Sequence, residues 1–195
     1  MTDKKKALFT AGKTIFITKG FKETNVADIS KKAGFATGTF YNYYPSKDAL
    51  FMEIYLDENA KLKRKIMKNI DLSADPLQVI QTMMMLNYQG MLANPILKEW
   101  YNRDIFNKIE QNYRKHSGLK TTDFLYDVFI DVVRKWQAEN RIRTDISPEM
   151  IMAIFSALIN VETHKDEIGF QYFPNLINHL SEFTMKALMD GPKSQ

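Results

Sequence analysis

The sequence predicts an all-α protein of about nine helices, and three observations carry that expectation. Apolar residues recur at helical spacing along most of the chain. Sustained apolar/polar alternation, the mark of half-buried strands, is nearly missing. A capping residue precedes proline in Asp75-Pro76, Asn94-Pro95 and Ser147-Pro148, an arrangement suited to a first helical turn, where the absent N–H would be unpaired anyway.

Each element follows from local chemistry. Leu8, Ala11 and Ile15 stand at i, i+3 and i+7, Phe9 and Phe16 broaden that stripe, and Gly20 is placed to stop the helix. Asn25 can cap a second, short helix with the stripe Val26, Ile29 and Ala33. A third runs from about Thr37 to Tyr43 around Phe40. Ser46 then caps a long helix through Leu50, Ile54, Leu62 and Ile66 to about Asn69. Beyond it the three X-Pro starts, the breaks at Gly118 and Thr121-Thr122, and Phe173-Pro174 mark out the longer helices of the second half. The stretches Phe124–Trp136 and Met150–Val161 are apolar on more than one face, as in helices buried against several neighbours or a second chain.

Composition narrows the functional classes. No apolar run is long enough for a membrane span, and no apolar core follows the lysines at the start as in a secretion signal. Zero cysteines fit a reducing cytoplasm and leave no thiolate metal site. Residues 1–50 hold nine lysines against four acids, a net +5, while the other 145 residues hold 18 basic and 19 acidic groups, a net −1. A basic head on a neutral body suits a polyanion binder, because phosphate neutralisation supplies most non-specific affinity. A solvated lysine-rich surface gives the same count, so charge alone decides nothing.

The stretch Val26–Tyr43 reads as helix, tight turn, helix. Ala33 is small where two helices meet, Gly34 can take the left-handed turn, and Phe35 fills the space beneath it. With Phe40 turned inward, the second helix presents Thr37, Thr39, Tyr41, Asn42 and Tyr43, whose hydroxyls and amide suit base edges and phosphates in a major groove. Ser46-Lys47 opens the next helix, where N–H groups and an ammonium can meet a phosphate. A packed helical corner is the competing reading of the same residues.

The run Phe16-x3-Gly20-Phe21-x2-Thr24-x-Val26-x2-Ile29-x3-Ala33-Gly34-Phe35-Ala36-Thr37-Gly38-Thr39-Phe40-Tyr41-x-Tyr43-Tyr44-x-Ser46-Lys47-Asp48-x-Leu50 resembles the DNA-binding domain of the TetR family of bacterial repressors. Departures are mild: Ser30 stands where alanine is usual, Phe35 where a smaller aliphatic is usual, and Asn25 where threonine or serine is commoner. In the body the resemblance is confined to helix layout, the connection Arg141–Pro148 and the run Asp166–Gly169.

The resemblance implies a homodimer on a near-palindromic operator, with a DNA-binding domain at 1–47 and a ligand-binding and dimerisation domain at 48–195. Thr37, Thr39, Tyr41 and Tyr43 would contact bases and phosphates, Lys47 would hold a phosphate, and Thr24 or Asn25 another. Asn42 occupies the variable position that often reads bases. The expected partners are an operator duplex, a second copy of the chain and an apolar or amphipathic small-molecule inducer, with no cofactor, metal or membrane.

In the body, Met150, Ile154, Leu158 and Val161 form one stripe and Ile151, Phe155 and Ile159 another; one can face the core and the other a partner. Ile151, Phe155, Leu158, Phe173, Ile177 and Leu180 are the expected dimer residues, with Leu176, Phe183 and Leu188 on the same last helix. Met84, Met85, Tyr88, Trp100, Tyr101, Phe124, Phe129 and Phe155 are the candidate pocket, since methionine and aromatics adapt to apolar ligands, although the same residues serve equally as plain core. Glu162 offers a polar anchor there, or pairs with a neighbouring base. Asp123, Asp127 and Asp131 stand four apart on a face expected to meet water.

Catalysis is not expected. His116, His164 and His179 lack ligand spacing, and no glycine-rich phosphate loop follows a strand. A DNA-architectural protein with little sequence preference and no ligand control is the alternative; it accounts for the basic head but not for the apolar body.

Overall fold

The computed structural model describes residues 3–102, 105, 107, 123–161 and 164–192, with backbone alone at 123–127 and 159. Among these residues there are nine α-helices and no strand. They are α1 (Asp3–Glu23), α2 (Val26–Ala33), α3 (Thr37–Tyr41), α4 (Lys47–Asn69), α5 (Pro76–Ala93), α6 (Asp123–Ala138), α7 (Pro148–Val161), α8 (Lys165–Ile168) and α9 (Asn175–Met189). Two 3-10 turns, Leu97–Tyr101 and Phe170–Tyr172, complete the set. No described helix is long and apolar enough to cross a membrane.

The expected helix starts are present, with their caps. Ser46 Oγ accepts from Ala49 N at 3.1 Å, Asp75 Oδ1 from Leu77 N at 3.0 Å and Ser147 Oγ from Met150 N at 3.2 Å. Asn94 caps a shorter element than expected, since Oδ1 accepts from Ile96 N at 2.9 Å and the 3-10 turn follows. The last helix starts without a side-chain cap bond. Gly20 does not end the first helix: at φ 78° and ψ 170° it kinks α1, which resumes to Glu23. The breaks at Gly118 and Thr121-Thr122 lie outside the described residues.

The chain forms two compact units, residues 1–62 with 90–118 and residues 63–89 with 119–195. Their border falls inside α4, after Leu62, and inside α5, after Gln89.

In the first unit α1 packs on α2 and α2 on α3. Leu8, Phe16, Phe21, Ile29, Phe40, Leu50, Phe51 and Ile54 are buried. The Phe51 ring meets Phe16 at 5.0 Å and Phe21 at 4.8 Å, both edge-on, an arrangement that aromatic quadrupoles favour. A Cβ at Gly12 would lie 2.6 Å from Leu50 Cδ2, so glycine lets α1 and α4 approach this closely.

In the second unit α7 packs on α6 and on α9. The core gathers Val79, Ile80, Ile130, Val133, Trp136, Ile142, Ile151, Met152, Met185 and Leu188. The connection after α6 is tied by its own polar groups. Gln137 Nε2 donates to Arg143 O at 2.9 Å and Ile146 O at 2.8 Å, and Arg143 N donates to Leu188 O at 2.7 Å.

Candidate nucleic-acid interface

The helix-turn-helix is assembled from its caps. Asn25 Oδ1 accepts from Asp28 N at 2.8 Å and starts α2. Gly34, at φ 79° and ψ 27°, ends it in the left-handed conformation and returns its N–H to Lys31 O at 3.2 Å. Phe40 is wholly buried and fixes α3, its ring 5.6 Å from the buried ring of Tyr44. α3 is shorter than expected, ending at Tyr41, with Asn42 as its C-cap.

With Phe40 turned inward, Thr37, Gly38, Tyr41 and Asn42 are exposed, Tyr41 to 56%. At about 100° per residue these four positions span roughly 140° of the helix circumference. Thr39 and Tyr43 flank that face, half-buried. An amide and two hydroxyls thus line one side of a helix whose other side is anchored in the core, with the hydroxyls of Thr39 and Tyr43 beside them. That is a surface able to donate to and accept from base edges and phosphates.

Thr24 and Lys47 sit elsewhere. Thr24 is only 2% exposed and its hydroxyl donates to Gly20 O at 2.7 Å, so the side chain serves the fold rather than the surface. Asn25 is exposed but already occupied as the cap of α2. Lys47 Nζ donates to Phe21 O and Thr24 O, both at 2.8 Å, and lies 4.4 Å from the centre of the Phe21 ring. The first residue of α4 thereby closes the end of α1, whose last carbonyls have no intrahelical donor.

The ion pairs also revise the charge count. Lys5 pairs with Glu53 at 2.8 Å, Lys13 with Glu58 at 2.6 Å and Lys19 with Asp28 at 2.6 Å. Two of these acids lie beyond residue 50, so part of the basic excess of the head is neutralised by α4. Lys4, Lys6, Lys31 and Lys32 are exposed on α1 and α2. Tyr44 is held in its neutral form: burial pushes its pKa up, and neighbouring Glu53, 3.4 Å from its hydroxyl, adds to the rise.

The candidate pocket residues are divided between the units. Trp100 and Tyr101 belong to the first, where the buried Trp100 stacks at 6.1 Å on Tyr55 and the Tyr101 hydroxyl lies 3.8 Å from Met91 Sδ. Met84, Phe129 and Phe155 pack against the core of the second unit, Tyr88 is half-buried and Met85 is exposed. The Phe124 side chain and Glu162 lie outside the described residues.

Among the expected dimer residues, Ile151 and Ile177 are buried within the single chain, Ile151 completely and Ile177 to 7% exposure. Phe155, Leu158, Phe173 and Leu180 are half-buried. The stripe that reaches the surface of α7 begins at Met150, which is exposed, as is Phe183 on α9.

Residues 8–54 match the family described as bacterial regulatory proteins, tetR family. An uncharacterised HTH-type transcriptional regulator of Bacillus subtilis (strain 168), YdgC, is 36% identical over 62 residues; the match spans about a third of either chain, 32% of each. The HTH-type transcriptional repressor KstR2 of Mycolicibacterium smegmatis is 20% identical over 185 residues, covering 87% of this chain and 86% of KstR2. The crystal structure of Thermus thermophilus FadR, a TetR-family repressor in complex with lauroyl-CoA, superposes with a TM-score of 0.61 at 19% identity, covering 98% of this chain and 96% of FadR. The matched segment includes the whole helix-turn-helix and the start of α4, and the all-helical fold accords with it: residues 8–54 form a segment of the tetR family of bacterial regulatory proteins.

Proposed function

We propose that this protein is a homodimeric transcriptional repressor that binds a near-palindromic operator through α3 and is released from it by a small apolar or amphipathic ligand. One observation carries the reading: the exposed face of α3, with Thr37, Tyr41 and Asn42, stands on a helix anchored by the buried Phe40. Thr37, Thr39, Tyr41, Asn42 and Tyr43 are the proposed reading residues, with the exposed lysines of α1 and α2 adding sequence-independent attraction. Lys47 and Thr24 support that surface through the end of α1, and exposed Asn25 caps α2.

The functional division proposed is a DNA-binding domain at 1–47 and a ligand-binding and dimerisation domain at 48–195. Exposed Met150 and Phe183, with half-buried Leu158 and Leu180, supply the apolar surface for a second copy. The methionines and aromatics of α5, α6 and α7 suit an apolar ligand, and FadR, of similar fold, is the complex with lauroyl-CoA. The proposed place of action is the cytoplasm, and no catalytic step is part of the mechanism. Ligand binding shifts the population toward a dimer whose two α3 helices no longer fit successive major grooves, about 34–36 Å apart.

The test is selection of genomic fragments by the purified chain, followed by measurement of the mass of the complex. Recovery of one short near-palindromic site carrying two chains supports the proposal. Recovery of fragments without a shared site contradicts it.

A further inference from the structure

Glu58 is the most heavily bonded buried acid among the described residues of the first unit, at 9% exposure. Its two oxygens serve different parts of that unit. Oε1 accepts from Lys13 Nζ of α1 at 2.6 Å and from Lys61 Nζ at 3.0 Å. Oε2 accepts from Asn94 Nδ2 at 2.9 Å. Asn94 in turn uses its Oδ1 to cap the turn Leu97–Tyr101, and Trp100 of that turn stacks on Tyr55, one helical turn before Glu58 on α4. Burial alone would raise the carboxyl's pKa, yet the donors from Lys13, Lys61 and Asn94 outweigh it and hold the group below its ordinary range.

A buried carboxylate tolerates no idle oxygen. If Asn94 withdraws, Oε2 needs a new donor, and the carboxylate must turn or draw Lys13 toward it. Either response moves a polar contact between α4 and α1, the helix on which α2 packs. The residues 94–101 directly follow α5, which enters this unit after Gln89. A displacement passed along α5 therefore arrives at Asn94 first.

We propose that Glu58 is a positioning residue that makes the seating of α1, and through it the DNA affinity of α3, depend on the segment Asn94–Tyr101. The idea rests on the repressor reading above, so its test has one arm with DNA and one without. The variants are Asn94→Ser, whose hydroxyl can still cap the turn but cannot reach Glu58, Lys13→Met, their pair, and each in a Glu58→Gln background. The first arm measures hydrogen exchange of α1 amides in the free protein; the second measures affinity for the selected genomic fragment.

In the wild-type background, Asn94→Ser is expected to speed exchange around Lys13 and weaken fragment binding about fivefold. Lys13→Met should do the same, and the pair no more than the stronger single change. In the Glu58→Gln background, Asn94→Ser should have no further effect in either arm. Effects that multiply in both backgrounds, or exchange in α1 unchanged by Asn94→Ser, overturn the proposal. A chain with the expected exchange pattern but no sequence preference keeps the linkage and refutes the repressor reading instead.

Discussion

Replacing Lys47 by methionine keeps the aliphatic stem and removes only the ammonium, so it isolates what the charge does. The structure gives that ammonium two carbonyl acceptors, Phe21 O and Thr24 O, each at 2.8 Å, and an aromatic face at 4.4 Å. Hydrogen bonds to a charged group contribute roughly 1.5–3 kcal/mol each. Lys47 is half-buried, so water can reach the released carbonyls and the low end applies. Allowing for partial rehydration, the two bonds together are worth about 2 kcal/mol, and the cation–π contact adds about 0.5 kcal/mol.

The expected outcome is a loss of about 2–3 kcal/mol in urea unfolding, summing those contributions. Affinity for every DNA sequence should fall by a similar factor, because the head is loosened as a whole. The slope of log affinity against log salt should stay within a few tenths of wild type. A direct phosphate contact makes the opposite forecast: unchanged stability and a slope reduced by about 0.9 per contact. That pattern would refute the strut and restore the phosphate role implied by the family resemblance.

Three further predictions concern the same unit. A Cβ at Gly38 meets nothing within 4 Å, so Gly38→Ala should stabilise the fold by up to about 1 kcal/mol through helix propensity, while weakening DNA binding if this face lies against the duplex; thermal melts and anisotropy on one preparation separate the two effects. Ser30 Oγ is buried with no hydrogen-bond partner among the described residues, so Ser30→Ala should raise stability by roughly 1 kcal/mol, and a loss of that size in chemical denaturation would reveal a hidden acceptor. Glu58 has a lowered pKa in the folded chain, so the stability it supplies is full above its ordinary value of 4.5 and is lost as pH falls from there through the folded value. Glu58→Gln should accordingly flatten the acid limb of the stability curve below about pH 4.5, as read by urea midpoints from neutral to acid pH.

The helix starts were legible because they are local. Asn25, Ser46, Asp75 and Ser147 each cap the helix that follows within a few residues, and the stripe spacing told inside from outside for Ile29 and Phe40. Gly20 misled, because a positive φ can kink a helix as well as end it, and the packing of Phe21 lets α1 resume. Lys47 and Thr24 carry no local sign of their partners: the acceptors of Lys47 lie 23 and 26 residues earlier. The same holds for Glu58, whose donors come from Lys13 and Asn94, 45 and 36 residues away. On α7 periodicity yielded two stripes but could not rank them; the fold buries Ile151 and leaves Met150 at the surface.

The central claim is that α3 reads sequence rather than charge alone. The most direct test is the ratio of affinities for the selected fragment and for a scrambled duplex of equal length, followed across a salt series. The account predicts a preference on the order of a thousandfold or more, one that survives as salt rises while both affinities fall. A ratio near one at every salt concentration, with a steep slope for both duplexes, would contradict it and leave a binder of phosphates alone.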